Sequence, residues 1–372
     1  MKILWIPHAA WRIPQRAHLF CRALAENHEV HVTDWAADFY SWQDYLSPRY
    51  VRNFGYRLSR DGAITVHGIP RISPALYLVQ LRRWNAAVFS TWVDRLIRRY
   101  RIDVVVGTFV VYPPKAPRLV FDLFDENVAY WRQYGRMRQY AGEIENTEHA
   151  YLQVADAIVA ASSVLVEKAK VRTSRPIRHI PNAVDLVRFQ SADGAPLRTQ
   201  WGASGAIVGM LGNYDKPAEL HKVLDAAGRL AAEDLTFLIA GRGSAIRDAR
   251  KEASKKGLLR VKFFGDVPLP QAADVVSAFD IGLCPYLKTP GADAGSPMRL
   301  LLYTAAGLPT VCTNLEEVRR MDFPNVVLVE DDPISMAEGI RRARRLPRSR
   351  PAQIAAYDLR RLAKEYEQVL SA

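Results

Sequence analysis

Residues 295–311 read GSPMRLLLYTAAGLPTV, and this stretch carries the signals for both ends of one short helix. Ser296 is a favoured N-cap residue, and Pro297 suits the first helical position, where a backbone N–H is not needed. Met298–Ala306 then reads as the helix itself, and Gly307 suits a left-handed residue at its end. The stretch therefore predicts a helix that starts in a loop and stops at Gly307.

The loop before this helix follows an apolar, strand-like run, Ile281–Pro285. The first N–H groups of a helix lack helical acceptors and carry partial positive charge, so they favour a phosphate group. Arg299 would oppose the helix dipole if it were only structural, whereas beside a diphosphate it would supply a forked pair of donors. We therefore predict a diphosphate site at Ser296, Pro297, Met298 and Arg299.

Strand-like and helix-like segments alternate along the whole chain, as in parallel sheets covered by helices. The first set of strand-like runs is Ile3–Ile6, Val30–Thr33, Ile64–Val66, Val104–Val106, Leu119–Phe121 and Ile158–Ala160. The second set is Ile207–Leu211, Phe237–Ala240, Val261–Phe264, Ile281–Pro285, Thr310–Thr313 and Val326–Val329. The predicted fold class is α/β, with two Rossmann-like, doubly wound parallel-sheet domains in tandem.

The segment between the two sets, RHIPNAVDLVRF at Arg178–Phe189, clusters Pro, Asn and Asp, which is typical of a crossing between domains. We expect an N-terminal domain at 1–180 and a C-terminal domain at 181–351, with the amphipathic helix Ala352–Leu370 able to return to the first domain. Open parallel sheets bind ligands at the carboxyl ends of their strands, so chemistry is expected in strand-to-helix loops that face a cleft.

The chain has 372 residues, of which 49% are hydrophobic and 24% charged, and its net charge is +12. Residues 1–180 hold 25 Lys and Arg against 16 Asp and Glu, so the first half is the more basic. This indicates either an anionic partner or a set of solvated arginines. Nucleic acid is not expected, because the basic residues lie mostly on helices.

The N-terminal run reads as a first strand rather than a secretory signal, and no apolar stretch reaches the length of a membrane span. We expect a cytoplasmic protein, either soluble or peripheral on the inner face of the cytoplasmic membrane. The three cysteines, Cys21, Cys284 and Cys312, lack the spacing of a metal site and are expected to be buried thiols.

Four strings in the second half resemble, in the correct order, those of family 4-like GT-B glycosyltransferases. They are IPNAVDLVRF, VGMLGNYDKP, LIAGRGS and SPMRLLLYTAAGLPTV. The last also resembles the xanthan-type bacterial polysaccharide glucuronosyltransferases. The chain departs from the common family pattern at Leu302, where many relatives have a Glu that holds the ribose, and near Asp293–Ala294, where a second acidic residue is usual.

The resemblance implies a donor site for a nucleotide-diphosphate sugar, with a UDP-sugar favoured and a GDP- or dTDP-sugar as alternatives. It implies that Met298 and Arg299 contact the nucleotide and that Tyr286 lines the base pocket. Residues of the two glycine turns are further donor candidates: Gly212, Asn213, Gly241 and Arg242. No permanently bound cofactor and no metal is expected.

In the first half, Phe121–Trp131 reads FDLFDENVAYW, with three acidic residues after a strand and aromatic residues around them. An acidic group at a strand end can act as general base toward an acceptor hydroxyl. The resemblance selects Asp125 for this role, with Asp122 and Glu126 as alternates. The other interpretation is that Asp125 or Asn127 caps the next helix.

The first loop, PHAAWRIPQRAH, follows the first strand and should open on the same edge of the sheet. His8 in this loop is a candidate acceptor contact or second proton carrier. Leu76–Arg101 has apolar residues at helical spacing together with six arginines, among them Arg82, and reads as a helix for an anionic membrane surface or as a crossover helix with a solvated basic face.

The leading function is therefore transfer of a sugar from a nucleotide-diphosphate sugar to a glycan or a polyprenyl-linked acceptor, in bacterial polysaccharide or glycoconjugate synthesis. The alternatives are retaining transfer without an Asp base, a sugar-nucleotide 2-epimerase, and a nucleotide-binding, membrane-associated protein without catalysis.

Overall fold

The computed structural model describes residues 1–13, 15–35, 55–71, 79–133, 138, 140–203, 205–215 and 217–372. The chain forms two compact units, one of Met1–Pro181 with Leu359–Ala372 and the other of Asn182–Asp358. The second unit thus extends from 182 to 358, against the predicted 181–351. Among the described residues, none of the helices has the length and apolar character that crossing a membrane requires.

The first unit contains an eight-stranded sheet. Its strands are β1 (Lys2–Trp5), β2 (Glu29–Trp35), β3 (Arg57–Asp61), β4 (Ile64–Ile69), β5 (Val104–Gly107), β6 (Leu119–Leu123), β7 (Ala157–Ala160) and β8 (Ile177–His179). They lie in the order β3-β4-β2-β1-β5-β6-β7-β8. Among the described strands β3 and β4 pair antiparallel, and the other neighbours pair parallel. The chain order reverses between β1 and β5, so a crevice is expected there at the carboxyl ends of the strands.

The second unit contains a six-stranded parallel sheet. Its strands are β9 (Ala206–Asn213), β10 (Leu235–Arg242), β11 (Val261–Phe264), β12 (Ile281–Cys284), β13 (Thr310–Thr313) and β14 (Val326–Val329). The order is β11-β10-β9-β12-β13-β14, and the chain order reverses between β9 and β12. The predicted fold class, α/β with two parallel-sheet domains, is confirmed.

Helices connect the strands of both units. In the first unit they are α1 (Arg16–Leu24), α2 (Val79–Tyr100), α3 (Asn127–Gln133), α4 (Ala141–Val154) and α5 (Ser163–Lys170). In the second they are α6 (Ala195–Gln200), α7 (Pro217–Arg229), α8 (Ile246–Lys255), α9 (Ala272–Ser277), α10 (Pro290–Asp293), α11 (Met298–Ala305), α12 (Glu316–Met321) and α13 (Pro333–Ala343). The last helix, α14 (Leu359–Ser371), belongs to the first unit.

The predicted single helix Ala352–Leu370 is wrong in one respect, because the chain forms a 3-10 helix at Ala352–Tyr357 before α14 begins. The N–H of Val184 donates to the carbonyl of Tyr357 at 2.9 Å, and Asp358 is extended, so the helix is interrupted where this segment pairs. Beyond the break, Tyr366 of α14 is fully buried, and its ring centroid lies 5.1 Å from that of Trp5.

Close packing of α11 and the segment after α9 on the second sheet depends on two glycines inside strands. A Cβ on Gly209 would lie 2.1 Å from the ring of Phe279, and a Cβ on Gly282 would lie 2.4 Å from the ring of Tyr303. The hydroxyl of Tyr303 accepts from the N–H of Leu211 at 2.8 Å. All three cysteines are buried and free, as the sequence predicts.

Candidate functional site

A ligand site in the second unit is expected at the carboxyl ends of β9 and β12, because the chain order reverses between these strands. Gly212 and Asn213 end β9, and Tyr286 follows β12. The side chain of Arg299, from the first turn of α11, extends to this point and donates from Nη2 to the carbonyl of Asn213 at 3.0 Å. The sequence-predicted residues of the diphosphate site and of the first glycine turn are therefore neighbours.

The start of α11 differs from the prediction. Pro297, with φ −72° and ψ 108°, is the N-cap residue, the helix begins at Met298, and no side chain caps it. Ser296 is therefore not the N-cap; its Oγ instead accepts from the N–H of Asn182 at 3.4 Å. The predicted end is confirmed, since Gly307 has a φ of 71° and the last turn closes through Leu308 N–H to the carbonyl of Tyr303 at 2.9 Å.

Arg299 lies between two aromatic rings. Its guanidinium carbon is 5.1 Å from the ring centroid of Tyr214 and 5.4 Å from that of Tyr286. Only 12% of the side chain is exposed, and Nη1 is buried without a hydrogen-bond acceptor, with the nearest carboxylate oxygen, on Glu219, 3.9 Å away. A guanidinium that is fixed between two rings and still has N–H groups without an acceptor is suited to bind a ligand with oxygen acceptors.

The two glycine turns beside Arg299 are in contact with each other. Gly241 has a φ of 126°, and a Cβ there would lie 1.9 Å from the carbonyl oxygen of Gly212. Asp215 links the turns, because its carboxylate accepts from Asn213 Nδ2 at 2.5 Å and from the N–H of Ser244 at 2.8 Å. Arg242, the remaining candidate in these turns, lies 3.3 Å from Asp266 through Nη1 and Oδ2. These contacts link the two turns to each other.

Lys222 on α7 supports the loop after β12, and sequence reasoning missed it. Its Nζ donates to the carbonyl of Tyr286 at 3.1 Å and forms an ion pair with Asp331, and burial lowers the pKa of Lys222 to about 8. Asp331 also accepts from the N–H of Lys288 at 2.7 Å. A lone lysine on the buried face of an amphipathic helix is the sequence signal that could have identified it.

Asp293, the acidic residue nearest the position where relatives have one, is engaged in structural contacts. Its Oδ1 accepts from Lys288 Nζ at 2.6 Å and from the N–H of Glu316 at 2.9 Å. Leu302, at the other departure, is half-buried against the apolar core of the second unit. Neither residue therefore offers a carboxylate to a ribose in this arrangement.

In the first unit, the switch between β1 and β5 carries half-buried aromatic side chains. The ring of His8, after β1, stacks on Phe124, after β6, with centroids 4.0 Å apart. Phe109, after β5, lies 6.0 Å from Phe124 and 6.5 Å from Trp131 of α3. Burial and the neighbouring His18 lower the pKa of His8 to about 4, so the imidazole is neutral at pH 7.

The three acidic candidates of this region have different surroundings. Asp125 is half-buried, and its Oδ1 accepts from the N–H of Glu126 at 2.9 Å. Glu126 is paired with Lys168 at 2.8 Å. Asp122 lies in the protein interior, where its carboxylate accepts from Arg16 Nε at 3.2 Å, so its selection as an alternate base is not supported by its burial.

The first loop turns inward more than the sequence suggests. Gln15, Arg16 and His18 are buried, and Arg16 donates to the carbonyls of Ile180 and Pro181 at 2.7 and 2.6 Å. These side chains fix α1 to the segment that leaves the first unit. Of the residues expected at the strand end, His8 is the one brought against the aromatic cluster.

Residues 205–345 match the family described as glycosyl transferases group 1. Most of the second unit therefore matches this glycosyltransferase family. The colanic acid biosynthesis glycosyl transferase WcaI of Escherichia coli, so named, is 27% identical over 87% of this chain and 86% of its own length. TuaH of Bacillus subtilis, named as a teichuronic acid biosynthesis glycosyltransferase, is 29% identical over 49% of this chain, and the match spans only 46% of that protein.

The whole chain also superimposes on solved structures. Sucrose-phosphate synthase from Thermosynechococcus elongatus has a TM-score of 0.77 at 14% identity, covering 100% of this chain and 98% of that one. HepE of Anabaena, solved with UDP and glucose, has a TM-score of 0.66 at 14% identity, covering 100% and 99%. These structures share the fold of this chain. The family match and the two relatives show that the chain is similar to glycosyltransferases, and the relatives are named for bacterial polysaccharide biosynthesis.

Proposed function

We propose that this glycosyltransferase moves a sugar from a nucleotide-diphosphate sugar, with UDP the favoured nucleotide, to a hydroxyl of a glycan or lipid-linked saccharide. The observation that carries the proposal is Arg299: a guanidinium at the switch point of the donor-type domain, with Nη1 lacking an acceptor. Two diphosphate oxygens satisfy such a group, and the N–H groups of the first turn of α11 add further donors.

In the donor step we assign diphosphate binding to the Arg299 side chain and to the backbone N–H groups of Met298 and Arg299. The nucleotide approaches the backbone at Gly212 and Gly241. Tyr286 lines the base pocket, beside the arginine on which it stacks. Positive charge at these oxygens stabilises the nucleoside diphosphate as the bond from its terminal phosphate oxygen to the anomeric carbon breaks.

In the acceptor step we assign Asp125 as general base. The acceptor oxygen bonds to the anomeric carbon, its proton passes to the Asp125 carboxylate, and the nucleoside diphosphate leaves on the opposite side, which inverts the anomeric configuration. The aromatic cluster of His8, Phe109, Phe124 and Trp131 supplies apolar faces suited to a sugar ring.

A second candidate is retaining transfer, in which the departing diphosphate takes the acceptor proton. The contact from the N–H of Glu126 to Asp125 favours it, because a carboxylate that accepts from the backbone just before α3 is partly committed to structure. The anomeric configuration of the product, measured by NMR, separates the two mechanisms.

The donor assignment is tested by thermal shift against a panel of UDP-, GDP- and dTDP-sugars with wild type, Arg299→Ala and, as a control, the exposed Arg247→Ala. We expect one nucleotide class to stabilise wild type and Arg247→Ala, and the stabilisation to shrink strongly in Arg299→Ala. Equal stabilisation of all three proteins would show that the nucleotide binds elsewhere.

We further propose that α2 brings the enzyme to an anionic membrane surface where a lipid-linked acceptor resides. Its exposed face carries Arg95, Arg98 and Arg99, and Trp84 is 47% exposed. The side chain of Arg82 and residues 76–78 of the predicted segment lie outside the described part of the chain. Sedimentation with phosphatidylglycerol vesicles should remove the protein from solution, and Arg95→Glu with Arg98→Glu should prevent this; unchanged sedimentation would contradict the assignment.

A further inference from the structure

Asn182 connects the start of the second unit to the loop that opens α11. It is 8% exposed, and its Nδ2 donates to the carbonyl oxygen of Ser296 at 2.6 Å. The N–H of Asn182 also points to Ser296 Oγ, at the longer distance of 3.4 Å. Asn182 therefore does more than lie at the crossing between domains. Its side chain is hydrogen-bonded to Ser296, which precedes Arg299 by three residues.

The start of α11 needs such a contact because it has no side-chain cap of its own. Pro297 is the N-cap residue and supplies no N–H, so the peptide joining Ser296 to Pro297 can be held only through its carbonyl. The bond from Asn182 fixes the plane of that peptide. Since the ring restricts φ of Pro297, fixing this plane sets the direction of the N–H groups of Met298 and Arg299.

The residues that follow Asn182 are themselves held in place. The N–H of Val184 donates to the carbonyl of Tyr357 at 2.9 Å. This bond joins the first residues of the second unit to its last residues. Asn182 therefore projects its amide from an anchored backbone rather than from a loose linker. Because its backbone is anchored, the Asn182 amide can fix the orientation of the loop at Ser296.

We propose that Asn182 is a positioning residue of the donor site, which acts through the Ser296 carbonyl to aim the first turn of α11 at the diphosphate. The inference rests on the proposed function, since it assumes that this turn binds a nucleotide. It names a residue that does not touch the nucleotide yet sets its affinity.

The test compares UDP binding by calorimetry, well below each protein's melting temperature, for wild type, Asn182→Ala, Asn182→Asp and Ser296→Ala. We expect the Kd for UDP to rise about tenfold in Asn182→Ala, the effect of one lost hydrogen bond that orients charged-ligand contacts. Asn182→Asp keeps the shape and loses the donor, so its Kd should rise at least as much. Ser296→Ala removes a hydroxyl of the predicted diphosphate site but keeps the carbonyl, so its Kd should rise less than that of Asn182→Ala.

Steady-state kinetics with the same proteins and the donor sugar selected by thermal shift give a second readout. The KM for the donor should rise while the KM for the acceptor stays constant, a split that a general loss of stability would not produce. Where Asn182→Ala does not fold, Asn182→Asp carries the test alone, because its volume is unchanged.

Three outcomes would each contradict a different part of the proposal. If Arg299→Ala weakens UDP binding but both Asn182 variants bind as wild type does, the positioning role is overturned and the donor site stands. If Arg299→Ala also binds UDP normally, the proposed donor site itself is wrong. A loss in Ser296→Ala equal to that in Asn182→Ala would overturn the assignment to the carbonyl.

Discussion

The guanidinium of Arg299 occupies the space that a side chain on Gly212 would fill. A Cβ built on Gly212 would lie 2.5 Å from Nε and 2.9 Å from Nη2 of Arg299. The absence of a side chain at this point of β9 therefore allows the arginine to reach the carbonyl of Asn213. The φ of Gly212 is not in the left-handed region, so backbone conformation does not require glycine here. Glycine instead leaves room for the guanidinium of Arg299.

This relationship predicts that Gly212→Ala will weaken nucleotide binding with little loss of fold. The flexible arginine can move away from the new methyl group, but then it no longer lies between Tyr214 and Tyr286. We expect the Kd for UDP to rise roughly 10- to 100-fold, the range for losing a charge-assisted contact of about 1.5–3 kcal/mol. Calorimetry measures the affinity, and circular dichroism checks the fold.

Gly228→Ala is the matched control for that experiment. Gly228 lies in α7, where a Cβ would meet its nearest neighbour, Leu258, at 3.8 Å. This substitution should leave UDP binding unchanged and raise the free energy of unfolding by about 0.4–1 kcal/mol. Wild-type UDP affinity in Gly212→Ala would mean that the position of Arg299 does not matter to the nucleotide.

A second prediction concerns Asp125. Asp125→Asn should lower kcat by about 10²–10⁴-fold, the usual contribution of a general base, without weakening UDP binding. Glu126→Gln removes the alternate carboxylate and its pair with Lys168, and its kcat should fall much less. A larger loss in Glu126→Gln than in Asp125→Asn would assign the base to Glu126. Product formation by Asp125→Asn at the wild-type rate, with retention at the anomeric carbon, would favour diphosphate-assisted transfer instead.

Most of the secondary structure follows from apolar patterning. The strands at Val261–Phe264, Thr310–Thr313 and Val326–Val329 lie where the sequence predicts them. The strand at Arg57–Asp61 was missed because four of its five side chains are exposed, so it has no apolar run to detect. The strand at Ile177–His179 was missed because it is three residues long and lies at the sheet edge.

The candidate site was predictable only where local chemistry determines it. The positive φ of Gly307 follows from a short sequence string. The donor-site role of both Arg299 and the first glycine turn was expected from the family resemblance. The bond of Asn182 to Ser296 spans 114 residues, and the stacking of His8 on Phe124 joins two separate loops. Such contacts depend on strand order, which local patterning does not determine.

A third prediction concerns the buried pair of Arg16 and Asp122, whose side chains are 4% and 3% exposed. Burial raises the pKa of Asp122, and the Arg16 guanidinium opposes that rise, so each charge depends on the other. Asp122→Asn should lower the free energy of unfolding by about 3–5 kcal/mol because it leaves Arg16 without its counter-ion.

Urea unfolding measures the effect, and the exposed pair of Arg132 and Glu145 is the control. Glu145→Gln should change the free energy of unfolding by less than about 1 kcal/mol, as surface pairs do. If Asp122→Asn were no less stable than Glu145→Gln, the buried pair would not be needed to hold α1 against the segment at Ile180.

The last prediction concerns a chain of polar groups between β2 and β4, in which two buried histidines lie between the half-buried Tyr56 and the exposed Glu29. Tyr56 Oη lies 2.7 Å from His67 Nδ1, His67 Nε2 lies 2.9 Å from His31 Nδ1, and His31 Nε2 lies 2.9 Å from Glu29 Oε1. One set of neutral tautomers satisfies all three bonds, with Tyr56 and both Nε2–H groups donating in the direction of Glu29. A further proton on His31 Nδ1 would face the Nε2–H of His67, and one on His67 Nδ1 would face Tyr56 Oη, which would then have to accept instead of donating.

Burial and the neighbouring His31 lower the pKa of His67 to about 4, and burial also lowers the pKa of His31. In the unfolded chain each has a pKa of about 6.5, so between these values the unfolded state binds more protons. The stability from this chain is therefore fully present above about pH 6.5 and is lost as the pH falls toward 4. The free energy of unfolding should decrease steadily from pH 7 to pH 5.

His67→Gln tests the origin of that slope, because its amide can still donate to His31 but does not titrate. The variant should be less stable than wild type at pH 7 and should lose less stability on going to pH 5. His149→Gln, on the exposed side of α4, controls for the removal of a histidine as such. A slope in His67→Gln equal to that of wild type would place the acid sensitivity at other groups, of which His8 and His18, each with a pKa lowered to about 4 by burial, come first.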